Sequence, residues 1–308
     1  MLRDHTAGDP MREQVKWTDL TRREISGLLA GRGTPAGRRV VKRLLKKHGY
    51  VRRQARKSQT MSRRRHPDRN EQFENIARLR REFLSAGDPV VSMDAKKKEL
   101  LGNFYRAGKL YTREVIGVFD HDFPSAASGV VIPHGLYDVG RNVGHVNLGT
   151  SRETSQFACD SLAWWWEGHG RLQYPSAKRL LLLCDGGGSN SASRYVFKEE
   201  LQKLADRLGL EIRVAHYPPY CSKYNPIEHR MFPHVTRACQ GVVFHTVQLV
   251  KGLVEKTRTS TGLAVTVDII DKVYETGRKC AAGFKKNMKI VFDDLMPKWN
   301  YRAIPTLT

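Results

Sequence analysis

At 308 residues the chain is long enough for one sizeable core, or for a catalytic domain with a small appendage. A hydrophobic fraction of 40% and an aromatic fraction of 9% suit a folded chain, and no apolar run approaches the ~18 residues a membrane span needs. The formal charge of +22 attracts polyanions, nucleic acid above all.

The start, MLRDHTAGDP, carries acids and lacks the apolar stretch of a secretory signal, so cytoplasm is the expected compartment. Five cysteines (159, 184, 221, 239, 280) form no CxxC pair, which predicts reduced, buried thiols and argues against a structural zinc site. The charge is unevenly spread. Residues 1–86 hold 23 Lys or Arg against 9 Asp or Glu, a net of +14, while the other 222 residues carry +8. Such confinement predicts a binding region attached to something else.

In chain order, DLTRREISGLLA (19–30) spaces Leu20, Ile25, Leu28 and Leu29 helically after the caps Thr18 and Asp19. GRGTPAG interrupts, and RRVVKRLLKKHGY resumes the pattern with Val40, Val41, Leu44 and Leu45. Two short helices across a Gly/Pro turn predict a small all-α helix-turn-helix region. Its second helix carries Arg38, Arg39, Lys42, Arg43, Lys46 and Lys47, suited to DNA phosphates and grooves; a plain basic hairpin with no sequence readout fits equally well. From 38 to 69 stand 14 basic residues against one acid, Asp68.

The pattern predicts four regions: a basic DNA-binding region over 1–69, a linking helix over 70–89, a catalytic domain over 90–245 and a helical extension over 246–308. After the Gly87-Asp88-Pro89 turn come the strand VVSMD, an insertion at 100–128, the strands GVVIPHGLYDV and GHVNLGTS, and the helix ETSQFACDSLAWWWEGHG. The strand RLLLLCD, the helix SASRYVFKEELQKLADRLG, the strand LEIRVAHYPP and a helix from Asn225 follow. This alternation predicts an α/β fold with a central sheet flanked by helices. Amphipathic helices are expected around KGLVEKTRTS and IIDKVYETGRKCAAGFKKN.

Three acids stand out by position. Asp94 ends VVSMD, Asp185 ends LLLLCD, and Glu228 follows Asn225-Pro226 at a helix start. Carboxylates gathered at the edge of a buried sheet repel one another, and a hard divalent cation such as Mg²⁺ or Mn²⁺ removes that cost. Two of the acids also have a plain structural role: Asp185 before three glycines suits a turn, and Asn225-Pro-Ile-Glu228 reads as a capping box. Lys96, Lys97 and Lys98 follow the first acid, Ser189 and Asn190 the second, and His229 and Arg230 flank the third; these are candidate substrate contacts. His121-Asp122 and His134 read as structural. Trp164, Trp165 and Trp166 cannot all face one way on a helix, so core and exposed positions are both expected.

VVSMDAKKKELLGNF, LLLCDGGGSNS and HYPPYCSKYNPIEHR together resemble the DDE transposases of bacterial insertion sequences, most closely the Rhodopirellula-type group and more distantly the mariner superfamily. The resemblance runs from about residue 15 to the C-terminus. It implies an RNase H-like catalytic domain in which Asp94, Asp185 and Glu228 hold two Mg²⁺ or Mn²⁺ ions. The implied reaction is cleavage of DNA at transposon ends and strand transfer into target DNA. Double-stranded DNA, a homodimer joining two ends, no membrane, and a bacterial cytoplasm with the protein on the nucleoid are the expected setting. Members begin with a longer N-terminal region, which implies a truncated or misassigned start. A decayed, DNA-binding remnant would keep the basic segment and need no metal. A host nuclease would share the acids but join no strands.

Overall fold

The computed structural model describes residues 7–9, 12–18, 20–52 and 67–306. By internal contacts the chain divides into two units, residues 1–59 and 60–308. The basic stretch 53–66 and the expected cap Asp19 lie outside the described residues.

In the first unit β1 (Ala7–Asp9) and β2 (Arg12–Trp17) pair antiparallel, a ribbon that no alternation of apolar residues announces. The two expected helices follow as α1 (Arg22–Gly31) and α2 (Arg38–Lys47). Thr21, not Thr18, caps α1. Its hydroxyl accepts from the Glu24 amide and its own amide donates to the Glu24 carboxylate at 2.6 Å, a complete capping box. Ser26 donates to the Ala36 carbonyl at 2.6 Å and ties the turn to α1. Ile25 and Val41 are buried, while all six basic residues of α2 are exposed.

The second unit is built on a mixed sheet of β3 (Val90–Ala95), β4 (Glu99–Leu101), β5 (Gly129–Asp138), β6 (Val143–Gly149), β7 (Arg179–Cys184), β8 (Glu211–His216), β9 (Ala264–Ile270), β10 (Ile290–Phe292) and β11 (Asn300–Ala303). Their order is β10-β11-β8-β7-β3-β5-β6-β9, with β4 paired to β5. Strands β3, β7 and β8 run parallel, and β5 and β6 form antiparallel hairpin partners beside β3. This five-strand centre is the RNase H-like arrangement. Helices cover both faces, which is why RLLLLC is an unbroken apolar run.

On one face α4 (Ser155–Trp165) and α6 (Tyr195–Leu208) pack on Val91, Met93, Leu136, Leu180 and Leu182. Between them α4 runs into a π-helical turn, Trp166–Gly170, and the short α5 (Arg171–Gln173). Trp165 and Trp166 are buried and Trp164 is exposed, so the tryptophan triplet divides between core and surface. On the other face lie α3 (Arg69–Ser85), α7 (Pro226–Arg230), α8 (Phe232–Ala238) and α9 (Val247–Val254). Gly135 and Gly144 let α7 and α8 rest directly on β5 and β6. A Cβ at Gly135 would come within 2.7 Å of Met231 and Phe232, and one at Gly144 within 2.4 Å of the Met231 sulfur.

Two expectations need correction. The segment 70–89 does not merely link: Ile76, Leu79 and Phe83 form a helical stripe buried against Val90, Leu181, Leu183 and Ala215. The tail is not a helical extension. After α9 it supplies three strands, and the second expected helix shrinks to α10 (Phe284–Asn287). Physically, AVTVDII alternates with period two and is rich in β-branched residues, which favours β9 over a helix.

His134 on β5 is fully buried against Phe157, with neither ring nitrogen hydrogen-bonded. Burial pushes its pKa from 6.5 down to about 3. A folded-state value below the unfolded one means the unfolded chain binds the extra proton. The stability held above pH 6.5 is therefore lost as pH falls towards 3, at up to about 1.4 kcal/mol per pH unit. His134→Leu is expected to flatten that slope. Urea unfolding of both proteins at pH 7 and pH 5 measures it, and equal acid losses would refute the assignment.

Candidate active site

Alternation along β3 sends Val91 and Met93 towards α4 and α6, and Val90, Ser92 and Asp94 towards α3 and α7. Strand β7 runs parallel beside β3, with Ser92 opposite Leu183. That register carries Asp94 and Asp185 side by side at the C-terminal ends of neighbouring strands. Glu228 arrives from α7, its carboxyl within hydrogen-bonding reach of Asp94. The three sequence-predicted acids therefore meet at one edge of the sheet.

Their mutual effect is large. Burial, then the charges of Asp185 and Glu228, push the Asp94 pKa up to about 8, against one opposing hydrogen bond from the Ala95 amide at 2.8 Å. Burial also raises Asp185, whose Oδ1 accepts from the Gly187 amide at 3.3 Å. Among the described residues no lysine or arginine forms an ion pair with any of the three; Lys96, two residues from Asp94, pairs with Glu99 instead. A cluster of carboxylate oxygens without a compensating cation suits a hard divalent ion, so these residues fit Mg²⁺ or Mn²⁺.

What holds the acids in place was largely invisible in the sequence. The expected capping box at α7 does not form. Instead Asn225, fully buried, reaches across to β3: its Oδ1 accepts from Ser92 Oγ at 2.6 Å and its Nδ2 donates to the Met93 carbonyl at 3.2 Å. Ser92 Oγ in turn accepts from the Ile227 amide at 2.9 Å and so takes the capping role. The helix carrying Glu228 is thus bolted to the strand carrying Asp94. On the other side, buried His216 bridges the Asp185 carbonyl, 2.8 Å from Nδ1, and the Tyr301 hydroxyl, 2.9 Å from Nε2. Burial lowers the His216 pKa to about 4. The phrases NPIE and AHYPP marked the places, but not these partners.

The other candidates divide. Asp185 borders a cleft of about 500 Å³, walled by Tyr217, Tyr220, Lys298 and Trp299. His229 and Arg230 are exposed beside Glu228, and Lys97 and Lys98 are exposed beyond β3. Ser189 and Asn190 are buried; the Ser189 carbonyl accepts from Ser155 Oγ at 2.7 Å, which knits the loop after Asp185 to α4. His121 is exposed and pairs with Asp120. The basic residues of α2 belong to the first unit.

A family model described as the Rhodopirellula transposase DDE domain matches residues 1–305. The chain belongs to that DDE transposase family. No curated protein matches it. Among solved structures, this transposase-family chain is similar to the Mos1 transposase paired-end complex with left transposon end, at 13% identity and a TM-score of 0.46, over 80% of this chain and 71% of that one. It is also similar to the Mos1 strand transfer complex (16% identity, TM-score 0.46, 80% and 70% covered) and to the mariner Mos1 paired end complex with Mg (14%, 0.45, 76% and 69%). Likeness at this level says nothing of activity. Asp94 and Asp185 stand at neighbouring strand ends and Glu228 on a following helix.

Proposed function

We propose that the chain cuts DNA at the ends of its own insertion sequence and joins the freed 3′ ends to target DNA, with Asp94, Asp185 and Glu228 as the ligands of two divalent ions. The observation that carries this reading is the convergence of three carboxylates, uncompensated by any ion pair among the described residues, at one sheet edge beside an open cleft. Bound there, Mg²⁺ or Mn²⁺ would activate the attacking water or 3′-hydroxyl and stabilise the leaving oxygen. The chain's own part is positional. The Ser92–Asn225 clamp and His216 hold the carboxylates, and Tyr220 and Lys298 offer a ring face and a cation to a DNA strand. His229, Arg230 and Lys97 lie exposed near the acids and suit phosphate contacts. Joining requires two transposon ends to be brought together, so the working form in this reading is a dimer on two ends.

The deciding experiment incubates purified protein with a labelled duplex bearing the element's end, in Mn²⁺ and in EDTA. Metal-dependent nicking with joined products is expected. Nicking without joining would indicate a nuclease, and binding alone a DNA-binding remnant.

The exposed face of α2 supplies a second expected result. Each phosphate contact contributes about −0.9 to the slope of log K against log salt. Lys42→Ala with Arg43→Ala is therefore expected to make that slope shallower by about 2, uniformly across DNA sequences. Binding titrations at several salt concentrations measure it. An unchanged slope would remove α2 from the DNA interface.

A further inference from the structure

Strand β9 runs parallel to β6, with His145 opposite Thr266 and Asn147 opposite Asp268. Their neighbours Val146, Leu148, Val265 and Val267 pack under α7–α9, so the polar four line the opposite face, the face of α4. Asp94 and Glu228 lie on the α7 side, so this polar group is a separate place in the fold. A third element reaches it. The π-helical turn after α4 sets His169 over His145, ring centroids 4.9 Å apart. Single π turns commonly serve to aim a side chain at a site.

The hydrogen bonds orient the group. Thr266 Oγ lies 2.8 Å from His145 Nδ1 and 3.5 Å from the Gly144 carbonyl, to which its hydroxyl can donate. Asn147 donates its Nδ2 to the Ser161 carbonyl, which turns its Oδ1 towards His145 Nε2 at 3.2 Å. Asp268 Oδ2 lies 3.5 Å from the same nitrogen. His145 Nε2 therefore faces two oxygen acceptors, and with the ring hydrogen on Nδ1 its lone pair is free to join them around a cation. One ligand atom each from His145, His169 and Asp268 lie within 4.8 Å of one another. Two ligands of a tetrahedral ion with bonds of about 2.0–2.1 Å stand roughly 3.4 Å apart, close to the 3.5 Å between His145 and Asp268. With Nε2 on the metal, Nδ1–H would donate to Thr266 Oγ, 2.8 Å away, and supply the outer hydrogen bond that ligating histidines usually make. A cavity of about 150 Å³, bordered by both histidines, Arg141 and Gln173, leaves room for a water or anion as fourth ligand.

The geometry points to a divalent-metal site at His145, His169 and Asp268, distinct from the three acids and selective for Zn²⁺-like ions over Mg²⁺. Imidazole donors suit zinc, cobalt and nickel, whereas Mg²⁺ demands six near-octahedral oxygens. Occupied, it would staple the tail strand β9 and the end of α4 to β6, a cross-link the absent cysteine pairs cannot make.

Co²⁺ is the probe, because a tetrahedral Co²⁺ site absorbs visibly and an octahedral carboxylate site does so only weakly. The full chain carrying Asp94→Asn and Asp185→Asn is titrated with Co²⁺, alone and with His169→Ala or Asp268→Asn added. The expected result is about one equivalent of tetrahedral Co²⁺ in the first protein, displaced by Zn²⁺ but not by Mg²⁺, and lost in both others. Both residues are only half-buried, so folding is expected to survive, and circular dichroism checks it. No tetrahedral absorption in the first protein would overturn the site, and so would a signal that persists in folded His169→Ala.

Discussion

Replacing Asp94 with asparagine is expected to abolish DNA cleavage and, in EDTA, to make the folded chain more stable. Loss of a group that acts as one of a catalytic set removes at least about 10³-fold of rate. The gain in stability follows from linkage. The unfolded aspartate ionises near 3.8, whereas in the fold burial and two neighbouring carboxyls push Asp94 to about 8. A raised acid pKa means that the folded state holds a proton the unfolded state releases. Stability is therefore fully present below pH 3.8 and is lost as pH rises towards 8, by up to about 1.4 kcal/mol per pH unit. Asparagine carries no charge and escapes that loss, so the two proteins separate by a few kcal/mol, on the order of this slope, at pH 8. Added Mn²⁺ is expected to stabilise the wild type and leave the variant nearly unmoved. Nicking assays and urea unfolding with and without Mn²⁺ test both arms. A variant that still cuts, or that is less stable in EDTA, would mean that Asp94 is a structural residue.

The legible parts of this molecule were those whose signal is local. RLLLLC reads as a strand buried on two faces, and Asp94 and Asp185 stand out because each closes an apolar strand. What the chain hides is written across long separations. Ser92 and Asn225 lie 133 residues apart, and nothing near either one announces their bond. The local reading of Asn225 as a cap was even self-consistent, because a helix start with Asn, Pro and Glu satisfies the rule without any partner. The same holds for β10 and β11. Their residues alternate too briefly to be told from a helical tail, and they become strands only because β8 leaves an open edge to pair with. The π turn that aims His169 has no sequence period of its own.

The clamp between α7 and β3 gives the second large expectation: Asn225→Ala is to lose both stability and activity. The side chain is inaccessible to water and makes both of its hydrogen bonds within the protein, to Ser92 Oγ and the Met93 carbonyl. Truncation leaves the Ser92 hydroxyl proton and one lone pair of Met93 unmatched, each at about 1–3 kcal/mol, so a fall of roughly 2–4 kcal/mol is expected. Ser92 also accepts from the Ile227 amide, one residue before Glu228. Freed from Asn225, it can turn, and the first turn of α7 moves with it. A displacement near 1 Å at a catalytic group costs on the order of 10² in rate, so kcat is expected to fall by about that factor. Asn225→Asp sharpens the test. It keeps the acceptor for Ser92 but exchanges the donor to Met93 for a fourth buried carboxylate, and at neutral pH it is expected to be worse than alanine for stability. Because Ser92 and Asn225 satisfy one another, Ser92→Ala and Asn225→Ala together are expected to cost less than the sum of the two alone. Urea unfolding and single-turnover nicking of the four proteins decide the point. Full cleavage rates in a destabilised Asn225→Ala would show that α7 holds Glu228 without the clamp.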